Sequence, residues 1–239
     1  MPKILALNIE TGANLALADS LPEPEVKYGN TKDPLKREAK DEEAKLAQRS
    51  KMALDAHFGT VLCVGFAYWQ EVKEEEVAGQ PHVTIREPKV VIQFAGKALP
   101  EAKLLAWAWK QIAAADQLVT FNGAGFDIPF MLRRSTLLNV RPETYVEMSK
   151  YHVNMSSAHA DLMQILQQSE TGTGLGIPRT LSFYVKQFLG DDFPFSDLDQ
   201  SRLTELLAEE NGYQKIHNLC AWNVRSTLIL FSALQGIYQ

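Results

Sequence analysis

Apolar positions fall in short blocks of two kinds, continuous or alternating runs and helix-spaced faces, and the blocks set out the elements. Residues 3–9 are apolar on both faces, which predicts a first strand in the middle of a sheet, broken by Thr11 and Gly12. Residues 60–69 form a longer apolar strand, and 82–86 and 89–94 continue as an edge strand, or as two, with Pro88 between them. Three strands in succession predict an antiparallel start to the sheet. Pro100 opens a helix to about residue 115, with Leu104, Leu105, Trp107, Ala108, Trp109 and Ile112 on its apolar face. A strand at 117–121, a turn at 123–125 and a helix from 128 to about 138 follow; this helix, strand, helix order implies a parallel portion of sheet. Further on, 144–146 reads as a short strand, a helix starts within 159–166, and 170–176 is a Gly-rich, mobile loop. Helices are expected at 180–189, 199–210 and 213 to about 235.

One segment departs from this pattern. Pro22, Pro24, Gly29, Asn30 and Pro34 mark irregular backbone, and residues 33–50 then read as a charged helix with Asp33 as N-cap and Pro34 at its first position. Its apolar stripe is thin, so the region at about 21–57 reads as a solvated insertion on the rim, or facing a protein partner. The whole of 1–239 then reads as one domain. A net charge of −5 excludes a global positive field, so attraction to nucleic acid would need a local patch or bound metal ions. Cys63 and Cys220 lie in apolar runs, as reduced core residues of a cytoplasmic protein do. Glu10 follows the N-terminal apolar run too soon for a secretory leader, and no apolar stretch is long enough to cross a bilayer, so no membrane association is expected.

The stretch 118–134 concentrates the candidate chemistry. An apolar run ends in a polar turn containing Gly123 and Gly125, and an amphipathic helix begins beside Asp127. Glu10 ends the first strand in a similar way. Carboxylates delivered by different strand ends can converge on Mg²⁺ or Mn²⁺, which prefer hard oxygen ligands. Two such ions about 4 Å apart activate water and stabilise the leaving oxygen of a phosphodiester.

Three motifs add a resemblance. Ile9-Glu10-Thr11-Gly12 follows an apolar strand, Asn122 precedes Phe126-Asp127, and an apolar C-terminal helix carries Asn223-Val224 with Thr227. In this order they resemble the motifs of the DEDD superfamily of 3′-5′ exonucleases, in particular the group related to the proofreading domain of family B DNA polymerases. Lys32-Asp33-Pro34, Phe58-Gly59 and His159-Ala160-Asp161-Leu162 extend the likeness over nearly the whole chain. The resemblance implies an α/β, ribonuclease H-like fold, a mixed sheet of about five strands flanked by helices. It further implies attack of metal-activated water on a DNA 3′ end, with Mg²⁺ or Mn²⁺ as cofactor and single-stranded DNA as partner. Carried over position by position, Glu10 and Asp127 are the retained metal-facing pair, and Asp161 is a third candidate ligand. Thr11, Asn122, Phe126, Arg133 and Trp222 are candidate nucleic-acid contacts; Arg134 is a further phosphate candidate, although helix arginines are more often solvated, and His159 is read as a structural histidine.

The departures are as informative. Where the first motif has aspartate this chain has Asn8; where the third has tyrosine and, four residues on, aspartate, it has Leu219 and Asn223. An amide supplies a neutral oxygen and no anionic charge, so cation binding is expected to be weak or absent. Even changes behind the ligands cost about 10–100-fold in affinity or activity. Three outcomes stay open: an end-binding domain with impaired or absent hydrolysis, an active exonuclease with a modified metal shell, and a non-catalytic subunit of an assembly. Leu219 points to natural divergence, since deliberate inactivation would need only the two asparagines.

Overall fold

The computed structural model describes residues 3–72, 85–149, 154–167, 179–190 and 203–237. Its centre is a five-stranded sheet in the order β3-β2-β1-β4-β5, built from β1 (Ile4–Ala13), β2 (Gly59–Val72), β3 (Ile85–Phe94), β4 (Gln117–Thr120) and β5 (His159–Asp161). β1, β2 and β3 pair antiparallel, whereas β1, β4 and β5 run parallel. The first strand is therefore central, with the change of direction on its two sides.

Alternation along β1 divides the core. Leu5, Leu7 and Ile9 pack with Leu104, Trp109, Ile128 and Phe130, which come from α2 (Glu101–Ala113) and α3 (Asp127–Leu137). Ala6 faces the other way, onto Val224 and Leu228 of α7 (Gly212–Leu234). Small residues on that face let α7 lie close: a Cβ on Gly65 would come within 2.5 Å of Cys220 Sγ. α4 (Leu162–Gln167) and α5 (Leu181–Leu189) pack with Val119 and the end of α7, and α6 (Leu203–Leu206) packs with its beginning. Across α2 and α3, Arg134 donates to both carboxylate oxygens of Glu101, at 2.8 and 2.7 Å, and to the carbonyl of Ala56.

The charged helix forms as α1 (Pro34–Met52), with Asp33 accepting from Leu35 N–H at 3.0 Å. Four expectations need correction. Thr11 and Gly12 do not end β1, because one extra residue in β2 shifts the ladder and lets pairing resume: Glu10 faces Cys63, and Thr11 faces Val61. Residues 144–146 are not a strand; the carbonyl of the neighbouring Glu147 accepts from His159 Nδ1 at 2.6 Å instead of entering a ladder. Residues 159–161 are a strand rather than the start of a helix, and the helix begins at Leu162, where Asp161 caps it. Of the helix expected at 199–210, the described part is helical only at Leu203–Leu206, and the turn after it closes on Asn211 in the left-handed conformation. The loop at 170–176 lies outside the described residues, as do residues 82–84 of the edge strand.

Candidate active site

The carboxyl ends of β1 and β4 open on a cavity of about 860 Å³. Asn8, Glu10 and Thr11 reach it from β1, Asn122, Phe126 and Asp127 from the β4–α3 turn, and Leu219, Trp222, Asn223 and Thr227 from α7. Residues far apart in sequence thus meet at one sheet edge.

The turn that delivers Asp127 is tightly specified. Asn122 has φ of 65°, a conformation that asparagine tolerates better than most side chains. A Cβ on Gly123 would collide with Thr120, so only glycine fits there. Asp161 holds the loop from below: its Oδ1 accepts from the N–H groups of Asn122, Met163 and Gln164, and its Oδ2 accepts from that of Ala124 at 2.8 Å. Both oxygens of this fully buried carboxylate are engaged, and the residue does not line the cavity. Its neighbour His159 bridges Thr120 Oγ1 and the Glu147 carbonyl. A carbonyl only accepts, so Nδ1 carries the proton and, in the neutral ring that burial favours, Nε2 accepts from the Thr120 hydroxyl.

Glu10 is held differently. Its Oε1 accepts from Asn8 Nδ2 at 2.8 Å and from Asn223 Nδ2 at 2.9 Å. Asp127 Oδ1 accepts from the Ile9 N–H at 2.8 Å. Burial pushes the Glu10 carboxyl up to about 8, against the two amides that pull it down and with a smaller upward push from Asp127. Burial likewise raises Asp127 to about 7, opposed by the Ile9 N–H and assisted by Asp161. Near neutrality Glu10 thus holds its proton and Asp127 is about half ionised.

A pair of Mg²⁺ or Mn²⁺ ions needs several lone-pair oxygens facing one point. Each asparagine directs N–H hydrogens, which have no lone pair, at the oxygen a cation would have to approach. Among the described residues, no group of three or more His, Cys, Asp or Glu is placed to hold a metal ion. The residues present do not fit a two-cation centre.

The other residues of the sequence reading take these places. Thr11 lines the cavity, but its hydroxyl donates to the Ala53 carbonyl at 2.6 Å. Arg133 is exposed outside the lining, near Asp55, whose carboxylate is lowered first by the His57 N–H and only to a lesser degree by Arg133. Arg134, read as a phosphate candidate or a solvated residue, is buried in its pairing with Glu101 and does not line the cavity, so the arginine fork bridges two helices rather than facing water or a ligand. Phe121, Leu54, Arg179 and Leu203 were missed and also line the wall, beside Ile9, Met163 and residues 180–182. Phe121 directly follows the β4 run and could have been flagged; the other three carry no local signal that separates them from surface or core.

A mixed sheet with this strand order, flanked by helices and opening at the ends of its central strands, is the ribonuclease H-like arrangement. The chain belongs to the family of predicted 3′-5′ exonucleases related to the exonuclease domain of PolB, whose pattern matches residues 82–237. The matched part holds Asn122, Asp127, Asp161, Leu219 and Asn223; Asn8 and Glu10 precede it and are joined to the site by geometry. The solved family B DNA polymerase from the hyperthermophilic archaeon Pyrobaculum calidifontis is similar in fold, with a TM-score of 0.58 and 13% identity. That match covers 98% of this chain and 25% of the polymerase chain, so the likeness spans about a quarter of the larger protein. No curated protein matches the chain. Among the described residues, no helix is long and apolar enough to cross a membrane.

Proposed function

We propose that this protein is a single exonuclease-like domain that holds the 3′ end of single-stranded DNA in the cavity, with impaired or absent two-metal hydrolysis. The observation that carries the reading is the engagement of Glu10 by Asn8 and Asn223 at the floor of the cavity, in a chain of this exonuclease family. A family-typical cleft is kept while its charged floor is replaced by a hydrogen-bonded one. Phe126 and Trp222 offer apolar faces to nucleobases, each stacked base contributing about 1–3 kcal/mol. Arg179, at the entrance to α5, supplies positive charge in a chain of net charge −5. The α1 segment serves as an insertion on the rim or as a docking element for a protein partner.

Two measurements on the same preparation test this. Titration of a labelled oligonucleotide at low salt should give saturable binding to single strands that weakens steeply as salt rises. No measurable affinity would favour a purely structural subunit. Incubation of 3′-labelled single-stranded DNA with Mn²⁺ should release no mononucleotide beyond background; release at enzyme-like rates would instead establish an active exonuclease with a modified metal shell.

A further inference from the structure

We propose that Asn8 and Asn223 are positioning residues that take over the structural task of a cation, clamping Glu10 from two elements so that β1 and α7 are joined, and the cavity assembled, without a divalent metal. The proposal rests on the cavity being the ligand site of this domain, but it is measured without nucleic acid.

The geometry is that of a clasp. Two amide nitrogens, one from β1 and one from α7, donate to the same oxygen at 2.8 and 2.9 Å. Glu10 is 4% exposed and Asn223 6%, so water does little to weaken these bonds. Asn8 is further fixed by the Ile9 carbonyl at 3.2 Å and by Cys220 Sγ at 3.8 Å, the sulfur that sits over Gly65. The close approach of α7 to the sheet and the convergence of the amides therefore depend on each other.

The chemistry explains why amides suit this place. With carboxyls at positions 8 and 223, three acids would crowd one point, and ionising all three would need a cation to hold them together. With amides, donors meet an acceptor and the same three side chains attract one another directly. The substitutions that remove metal ligands thus leave the metal's bracing role filled.

The test is the double variant Asn8→Asp with Asn223→Asp, compared with the unaltered protein by thermal unfolding in EDTA and in Mn²⁺. The unaltered protein should melt at the same temperature in both. The double variant should melt lower in EDTA and recover by on the order of 5–10 °C when Mn²⁺ is added, an effect that asparagines bracing nothing would not show. Equal melting of both proteins in EDTA, or a saturable rise for the unaltered protein with Mn²⁺, would overturn the proposal. If the double variant does not fold even with Mn²⁺, Glu10→Gln decides, because it retains an oxygen to accept both amides. Hydrogen exchange around residues 219–224 should then stay as slow as in the unaltered protein, and a loss of protection of roughly tenfold or more would sink the clasp. Failure to bind single-stranded DNA would overturn the functional reading while leaving these melting results unchanged.

Discussion

Asp161 and Glu10 are both buried at the same end of the sheet, yet they are satisfied in different ways. Asp161 accepts only backbone N–H groups, from the 122–124 loop and the first turn of α4. Glu10 accepts from two side-chain amides. Backbone donors are fixed by the path of the chain, so the first carboxylate is built into the fold. Side-chain donors change with single substitutions, so the second is the part of the site open to redesign. The contrast separates a carboxylate fixed by the path of the chain from one whose partners can be exchanged one side chain at a time.

The largest effect should come from the built-in side. Asp161→Ala orphans buried N–H groups in the loop and in α4 and should destabilise the protein by about 3–5 kcal/mol in urea unfolding. An effect no larger than that of Asn223→Ala would erase the distinction between the two carboxylates.

The replaceable side should be visible as a pH dependence. Glu10 has a folded pKa of about 8 against an ordinary 4.5, and Asp127 about 7 against 3.8. The native state holds these protons more tightly than the unfolded chain. Their contribution is therefore complete below the ordinary values and is lost as pH rises through about 7 to 8. Between those limits each carboxyl should cost at most about 1.4 kcal/mol per pH unit. Glu10→Gln should flatten the slope; an unchanged slope would mean that Glu10 is ionised in the folded protein.

Gly65→Ala should cost about 1–3 kcal/mol, because the new methyl group meets Cys220 Sγ and pushes α7 from β2. Hydrogen exchange should then quicken around Asn223 and not around Ala124; loosening at both would show that the two sides move as one. The smallest effect, about 1–2 kcal/mol, is expected for Thr120→Val, which leaves His159 Nε2 without its buried donor. A shift of that size in chemical denaturation, with no change in DNA binding, would place this pair on the framework side.

The sheet was legible because its main strands are long enough to show their pattern, and the antiparallel-then-parallel order followed from the spacing of strands and helices. β5 was not, since three residues are too few to display a period and Asp161 is also the cap of the next helix. The continuation of β1 past Gly12 was hidden by the irregular ladder. Among site residues, Asn8, Glu10, Asp127 and Asn223 could be grouped from motif order alone. What the sequence could not show was direction: which atoms of the asparagines face Glu10, and that Arg134 turns inward to Glu101 while Arg133 stays outside. Those outcomes depend on packing between elements distant along the chain.

The irregularity in that ladder is Leu62, which has no partner across from it between the Glu10–Cys63 and Thr11–Val61 pairs; it covers Gly12 instead. It works as a one-residue shim. A chain shortened by that residue could keep one of the two pairings but not both, so the spacing between the sheet's interior and its working rim is set by a single leucine.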